Sequence, residues 1–444
     1  MTVYLLLSLG LGGAGAFLCL RRPSRVKRAA YFLLAFFALT LVSGLRVSVG
    51  YDYDTYAAFF EDIHAQGLLA FLGENPRMEP GLFVLMAPIA RFTQNPQWMF
   101  LAMAALCSGL LLLFVWRYVP PKYAWVSIYA FVGLTFFYGT MNLMRQSVAG
   151  LIALFCYPFV RDRRWAPYFA LVLAAALFHR SALILIPFYW IANIPVGRAS
   201  LCAYAAVGTA LYFGITPLLR VVTRYVYTNY DPASSILMQP GSATYVIVPA
   251  LLLGFTLLLQ RPLLAADRRN AVFVHAGALT LLCYVLMTRH FLVERLALYF
   301  FLPVIWLLPH ALEVMEAPLA RAKRALQASR DPLKSPAYPA QKGTRPAISR
   351  AGRRLRDARI NYGLTLAFVL ALCLAYQLFA GQVGFHGVFP YRSVFSKVKT
   401  VQMQPVAWNN MENTTRKAGP VVLWKPGENF VYFQPQTRDG PPQF

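Results

Sequence analysis

The chain returns repeatedly to runs of about 17–22 apolar residues, separated by short loops that carry Arg and Lys. A helix of that length covers roughly 30 Å, the thickness of a bilayer's hydrocarbon core. Composition agrees: 58% of the 444 residues are hydrophobic and 13% charged, with a mean hydropathy of +0.50. The expected fold is therefore an all-α polytopic membrane protein. A net charge of +25 would suit a nucleic-acid binder, but its distribution argues against that partner. Much of the excess sits in short loops and in segment 315–360, which holds twelve Lys/Arg against three acids. That is how a chain anchors its cytoplasmic side beside anionic lipid. The six cysteines all fall in apolar runs, none in CxxC spacing, and read as packing residues.

Alternating the runs by the positive-inside rule gives about twelve transmembrane helices with both ends external. The expected crossings are 4–20, 29–47, 98–116, 123–140, 143–160, 165–178, 182–194, 201–219, 245–259, 272–287, 296–312 and 362–379. Residues 81–92, bounded by Pro80 and interrupted by Pro88, are too short to cross and read as a re-entrant or interfacial helix. The chain thus divides into a core at 1–314 with an outer loop at 50–79, a basic, partly disordered cytoplasmic linker at 315–360, a last helix at 361–380 and an external tail at 381–444. In the outer loop Tyr56, Phe59, Phe60 and Ile63 share one helical face, while Glu61, Asp62 and Gln66 take the other, the pattern of an interfacial amphipathic helix. The tail carries Trp408, Trp424, Tyr432 and Phe433, with Arg392, Lys397, Lys399 and Lys425, and reads as a small extramembrane cap.

The stretch 142–187 fixes where chemistry could occur. Two apolar helices flank the basic turn Arg161-Asp162-Arg163-Arg164. At 1.5 Å per residue, Arg145 and His179 lie roughly 24 Å and 21 Å from that turn. Both therefore reach the opposite, outer face. The same face gathers Arg46, Asp52, Asp54, Glu79, Asn142, Gln146, Arg180, Arg289, His290, Arg295 and Tyr299. Several arginines at a membrane surface suit a diphosphate, which takes planar, bidentate donors. Each also has a plainer reading: Arg180 or Arg289 could reach lipid headgroups, His179 could be a satisfied structural group, and Asp52 and Asp54 could solvate a loop.

Five segments, in order, resemble the EpsG family of bacterial exopolysaccharide proteins, close to the Wzy-type repeat-unit polymerases. They are Arg46 through Asp52, Asp54 and Tyr56; Glu79-Pro-Gly-Leu-Phe; Asn142-Leu-Met-Arg145-Gln146; Phe178-His179-Arg-Ser181; and Glu294-Arg295 through Tyr299-Phe300. The resemblance implies a GT-C-like glycosyltransferase of the bacterial inner membrane. Its substrate would be undecaprenyl-diphosphate-linked oligosaccharide, and the growing glycan would pass to an incoming lipid-linked repeat unit. Arg145 and Arg295 would hold the diphosphate, with Arg289 and Arg46 as auxiliaries. His179 or Asp52 would be the base, His179 being preferred. Tyr56, Glu79, Asn142, Gln146, His290 and Tyr299 complete the expected substrate-binding set. No cofactor is expected; a divalent metal held by Asp52, Asp54 and Glu79 is the less favoured arrangement. Membrane lipid and other assembly proteins are the remaining expected partners.

A ligase would use nearly the same site on another acceptor, a flippase or transporter would need a polar path through the membrane, and a non-catalytic assembly subunit would tolerate loss of Arg145 and His179. The topology is directly testable. Reporter fusions at Arg163 and near Gly343 are expected to score cytoplasmic, and those at Gln66 and Gly427 external. An external Arg163 would invert the arrangement.

Overall fold

The computed structural model describes residues 1–20, 24–225, 239–330 and 344–396, and two short strands at 421–423 and 431–433. Helix α1 (Thr2–Leu20) packs against α2 (Arg25–Gly44), whose first turn is capped by the Ser24 side chain. The next loop holds α3 (Tyr53–Gln66) and α4 (Leu68–Glu74), followed by the short apolar α5 (Gly81–Ala90) and the long α6 (Gln97–Tyr118). α7 (Ala124–Gly133) and α8 (Phe136–Asn142) make one helix broken by 52° at Thr135, whose φ is 67°. α9 (Met144–Leu154), α10 (Cys156–Arg161), α11 (Trp165–Ala176) and α12 (Leu185–Ile191) come next, then α13 (Arg198–Tyr225). α14 (Ile247–Leu258) and α15 (Gln260–Ala266) bend by 58°, and α16 (Ala271–Met287) follows. α17 (Glu294–Phe301) and α18 (Val304–Arg330) bend by 42°, and α19 (Thr344–Gln382) closes the bundle.

The all-α polytopic membrane fold is present. Among the described residues six helices are long and apolar enough to cross a membrane, or up to nine if each bent pair is one crossing. Length and composition thus support fewer than the expected twelve. The other three, 143–160, 165–178 and 182–194, are built from shorter pieces: α9 with α10, α11, and the 3-10 turn Arg180–Ile184 with α12. Proline accounts for two breaks. Pro158 and Pro187 each remove a helical donor, and regular α-helix stops four residues upstream at Leu154 and gives way to the 3-10 turn around Leu183.

Segment 315–360 departs from expectation over its described residues. It is helical from both sides, as the end of α18 and the start of α19, which pack together. Ala, Leu and Arg are strong helix formers, so the basic composition read as disorder instead extends two helices. Residues 331–343 lie outside the described set, as do Trp408, Trp424, Lys397, Lys399 and Lys425 of the tail. The described tail strands, β1 (Val421–Leu423) and β2 (Val431–Phe433), pair antiparallel with Val422 opposite Tyr432. The cysteines are all free; five are buried and Cys202 is exposed on α13.

Charged and polar groups gather at the two ends of the bundle. At one, Arg161 pairs with Asp267 at 3.0 Å, Arg269 with Asp162 at 2.6 Å, and Lys122 with Glu316. This is the end with the basic turn. The other end holds the outer loop. There α3 buries Tyr53, Tyr56, Phe59, Phe60 and Ile63 and exposes Glu61, Asp62 and Gln66, the face read from its sequence. Its apolar side meets protein rather than the expected lipid interface: Tyr53 stacks on Phe100 of α6 at 4.2 Å, and Phe59 meets Phe83 of α5 at 5.6 Å.

α5 is docked end-on. The Gly81 amide donates to the Leu177 carbonyl at 2.9 Å, and a Cβ on Gly81 would lie 2.8 Å from that oxygen. Only glycine permits this approach. Gly81→Ala is expected to loosen α5 and lower the thermal midpoint of the detergent-solubilised protein. An unchanged midpoint would show that the contact carries no weight.

Candidate active site at the outer-loop end

Helix breaks supply the geometry here. α8 stops at Asn142 and α9 starts at Met144, so the Asn-Leu-Met-Arg-Gln motif sits on a joint. The first amides of α9 consequently face the site with the positive end of its dipole. Backbone breaks of this kind persist at membrane depth only where protein or a lined cavity satisfies them.

Glu79 ties the pieces together. It is 6% exposed. Its Oε2 accepts from Arg145 Nη1 at 2.8 Å, and its Oε1 accepts from the Arg180 amide at 3.2 Å. The Arg180 guanidinium approaches the same oxygen at 4.0 Å. Arg145 also offers its amide to the Tyr56 hydroxyl, at 3.5 Å. The buried Arg145 Nε has no hydrogen-bond partner among the described residues. A buried unspent donor on a guanidinium is costly unless a water or a ligand takes it.

His179 sits in the turn after α11, 8% exposed. Its Nδ1 accepts from the Ser181 amide at 3.3 Å and lies 2.7 Å from Ser181 Oγ. Accepting an amide N–H puts the imidazole proton on Nε2. The Ser181 hydroxyl then donates to His179, and the Tyr299 hydroxyl, 2.9 Å away, donates to Ser181. Burial, aided by the charges of Arg145 and Arg295, pushes the His179 pKa down to about 3. The ring is neutral and a poor proton acceptor.

Asp52 precedes α3, half-buried, and its amide donates to Asn142 Oδ1 at 3.0 Å. Burial raises its carboxyl above the ordinary range, while Arg295 and Arg145 pull it back. Arg295 is therefore electrostatically close to both Asp52 and His179. Its backbone is held by the Gln146 side chain, whose Nε2 donates to the Arg295 carbonyl. Tyr157 likewise fixes the Tyr299 carbonyl at 2.8 Å. Asp52, Tyr56, Glu79, Asn142, Arg145, Gln146, His179, Arg295 and Tyr299 thus occupy one neighbourhood.

Three expected ligands are placed otherwise. Arg46 is 1% exposed and bound to carbonyls: Nε to Val49 at 3.2 Å, Nη1 to Ser43 at 2.6 Å and Nη2 to Met141 at 3.0 Å. It braces the corner after α2, with Phe100 under its guanidinium at 4.6 Å. His290 turns Nε2 to Thr216 at 2.8 Å, and Arg289 lies over Tyr212 at 5.3 Å, so both engage α13. Asp52, Asp54 and Glu79 make no metal cluster; among the described residues no three His, Cys, Asp or Glu gather into one. Two residues outside the expected set do join it. Ser181 was legible in the His-x-Ser motif. His386, whose Nδ1 meets Asn142 Nδ2 at 3.3 Å, lies beyond the last helix between Gly384 and Gly387. That glycine bracket was its only signal.

Fold and site together define a polytopic helical membrane protein with a cationic polar cluster at one end. Residues 29–321 match the model of the EpsG family. The chain belongs to the EpsG family, which points to an exopolysaccharide-related polymerase. No curated protein and no solved structure matches it.

Arg46 and Arg145 can be separated by experiment. Arg46→Met strands three buried carbonyls and is expected to cost about 2–4 kcal/mol, read as lower membrane yield and a lower melting midpoint. A midpoint equal to wild type would overturn its bracing role.

Proposed function

We propose that the protein is a glycosyltransferase that polymerises exopolysaccharide repeat units. It moves the growing glycan from undecaprenyl diphosphate to an incoming lipid-linked repeat unit on the external face of the bacterial cytoplasmic membrane. The observation that carries this reading is Arg145. Its guanidinium is gripped on one side by Glu79, keeps a buried Nε donor unspent, and stands at the N-terminus of α9. A guanidinium and a helix N-terminus together suit a diphosphate. Arg295 adds a second cation nearby.

In the transfer the acceptor hydroxyl oxygen bonds to the anomeric carbon. The bond from that carbon to the diphosphate oxygen breaks, and its electron pair leaves on undecaprenyl diphosphate. Arg145 and Arg295 stabilise that developing charge. The hydroxyl proton goes to Asp52. His179, the base preferred from sequence, has its Nδ1 engaged by Ser181, which leaves it an Nε2–H donor. It serves better to hold an oxygen than to take a proton. No cofactor enters this scheme. Both chain ends would be external, on the side of the site.

The test is purified protein mixed with lipid-linked repeat units and examined for a polymer ladder. Arg145→Lys is expected to be nearly as inactive as Arg145→Ala, because an ammonium cannot reproduce the planar grip. The acid limb of the pH–rate profile should follow Asp52. Its raised pKa means that turnover is lost, as pH falls, above the usual carboxylate range. Asp52→Asn should abolish turnover. A folded protein that leaves donor unconsumed would refute the reading, and transfer only to a different acceptor would make it a ligase.

A further inference from the structure

Past α19 the chain stays on the molecule. The Gly50 amide donates to the Gly387 carbonyl at 3.0 Å, Val47 to Arg392 at 3.1 Å, and Val394 to Leu45 at 3.0 Å. The Tyr391 hydroxyl reaches the Val42 carbonyl, and the Tyr4 hydroxyl the Val388 carbonyl, each at 3.0 Å. Residues 384–394 are thus strapped across the corner that leads from α2 to α3. Within the strap His386 has a φ of 60°, a left-handed conformation uncommon outside glycine, though less so for histidine than for most residues. Glycine would be the natural residue at such a position, as at Gly384 and Gly387 beside it. A histidine between two glycines at such a position points to a role for its side chain.

The hydrogen bonds say how. The Asp52 amide can only donate, so the Asn142 atom that meets it at 3.0 Å is the carbonyl oxygen. The Asn142 amino group must then face His386, and His386 Nδ1, 3.3 Å away, must accept. Nδ1 is therefore unprotonated and the ring proton lies on Nε2. The ring is half-buried and packs edge-on against Phe385 at 4.2 Å. Burial and the charge of Arg295 both favour the neutral form, bringing the pKa down to about 4.

We propose that His386 is a positioning residue of the site: its unprotonated Nδ1 orients Asn142, and Asn142 fixes the start of α3 so that the Asp52 carboxylate stands beside Arg145 and Arg295. This rests on the reading of Asp52 as the base. It also means that the site extends beyond the family-matched segment, which ends at residue 321. A strap that only packed would need no δ-nitrogen acceptor facing Asn142.

Two substitutions separate the roles. Asparagine keeps an acceptor at the δ position and tolerates a left-handed backbone, so His386→Asn is expected to keep turnover within about threefold of wild type. Glycine relieves the backbone but removes the acceptor, so His386→Gly should fold at least as well yet lose roughly tenfold to a hundredfold in kcat, with donor KM little changed. Combining His386→Gly with Asn142→Ala should be no worse than the more damaging single change, because both break one chain of contacts. Independent of turnover, nitrogen NMR of labelled His386 should show Nδ1 unprotonated in the wild-type protein, with that single tautomer lost in Asn142→Ala. Wild-type kcat in His386→Gly, multiplying effects in the double variant, or a tautomer indifferent to Asn142 would each overturn the proposal. A wild-type protein that polymerises nothing, but keeps the Asn142-dependent tautomer, would instead remove the functional reading and leave the positioning link standing.

Discussion

A carboxylate buried among apolar helices persists only if its oxygens are spent on donors. Glu79 meets that condition in a way that organises the whole outer-loop end. One oxygen takes Arg145 at the head of α9, and the other takes the amide of the turn that carries His179. Glu79 itself arrives through Pro80 and Gly81, and Gly81 docks on Leu177 of that same turn. The short α5 therefore has a structural role that does not depend on crossing the membrane: it delivers this carboxylate. Since α5 also packs under α3, the loop bearing Asp52 and Tyr56 is indirectly seated on the same anchor.

The site is assembled from interruptions. Asn142 and Arg145 flank a joint, His179 lies between α11 and a 3-10 turn, and Arg295 follows another such turn. An unbroken helix spends its amides on its own carbonyls and sends side chains outward around its circumference. Breaking several helices at one level turns backbone amides and side chains toward a common point. Glu79 and Gln146 then hold the turned pieces in place, at the Arg180 amide and the Arg295 carbonyl.

Sequence carried much of this, for identifiable reasons. Apolar length and loop charge set the bundle, and the 3.6-residue spacing of Tyr56, Phe59, Phe60 and Ile63 gave the buried face of α3 correctly. Five polar motifs gave the neighbourhood of Arg145. What could not be read was the fate of each individual charge. Arg46 and Arg145 look alike in a string of letters, yet buried carbonyls at a corner claim the first and an unspent donor distinguishes the second. Arg289 and His290 lie close to Arg295 in the chain, but the turn between them directs both to α13. The basic segment misled because composition alone does not reveal that α18 and α19 have each other to pack against. His386 was invisible because its meaning depends on contacts with residues more than two hundred positions earlier.

The bundle's first helix is zipped to its last. Ser8 donates to Gln377 at 2.7 Å, Gln377 returns a bond to the Tyr4 carbonyl at 2.9 Å, and Tyr4 closes on Val388. These partners stand 369 and 373 positions apart in the sequence, so α1 completes its polar contacts only once α19 has been made and docked. The strap over Asp52 arrives later still. A product cut before the strap, however well inserted, would lack the contacts at Leu45, Val47 and Gly50 that brace its own outer loop.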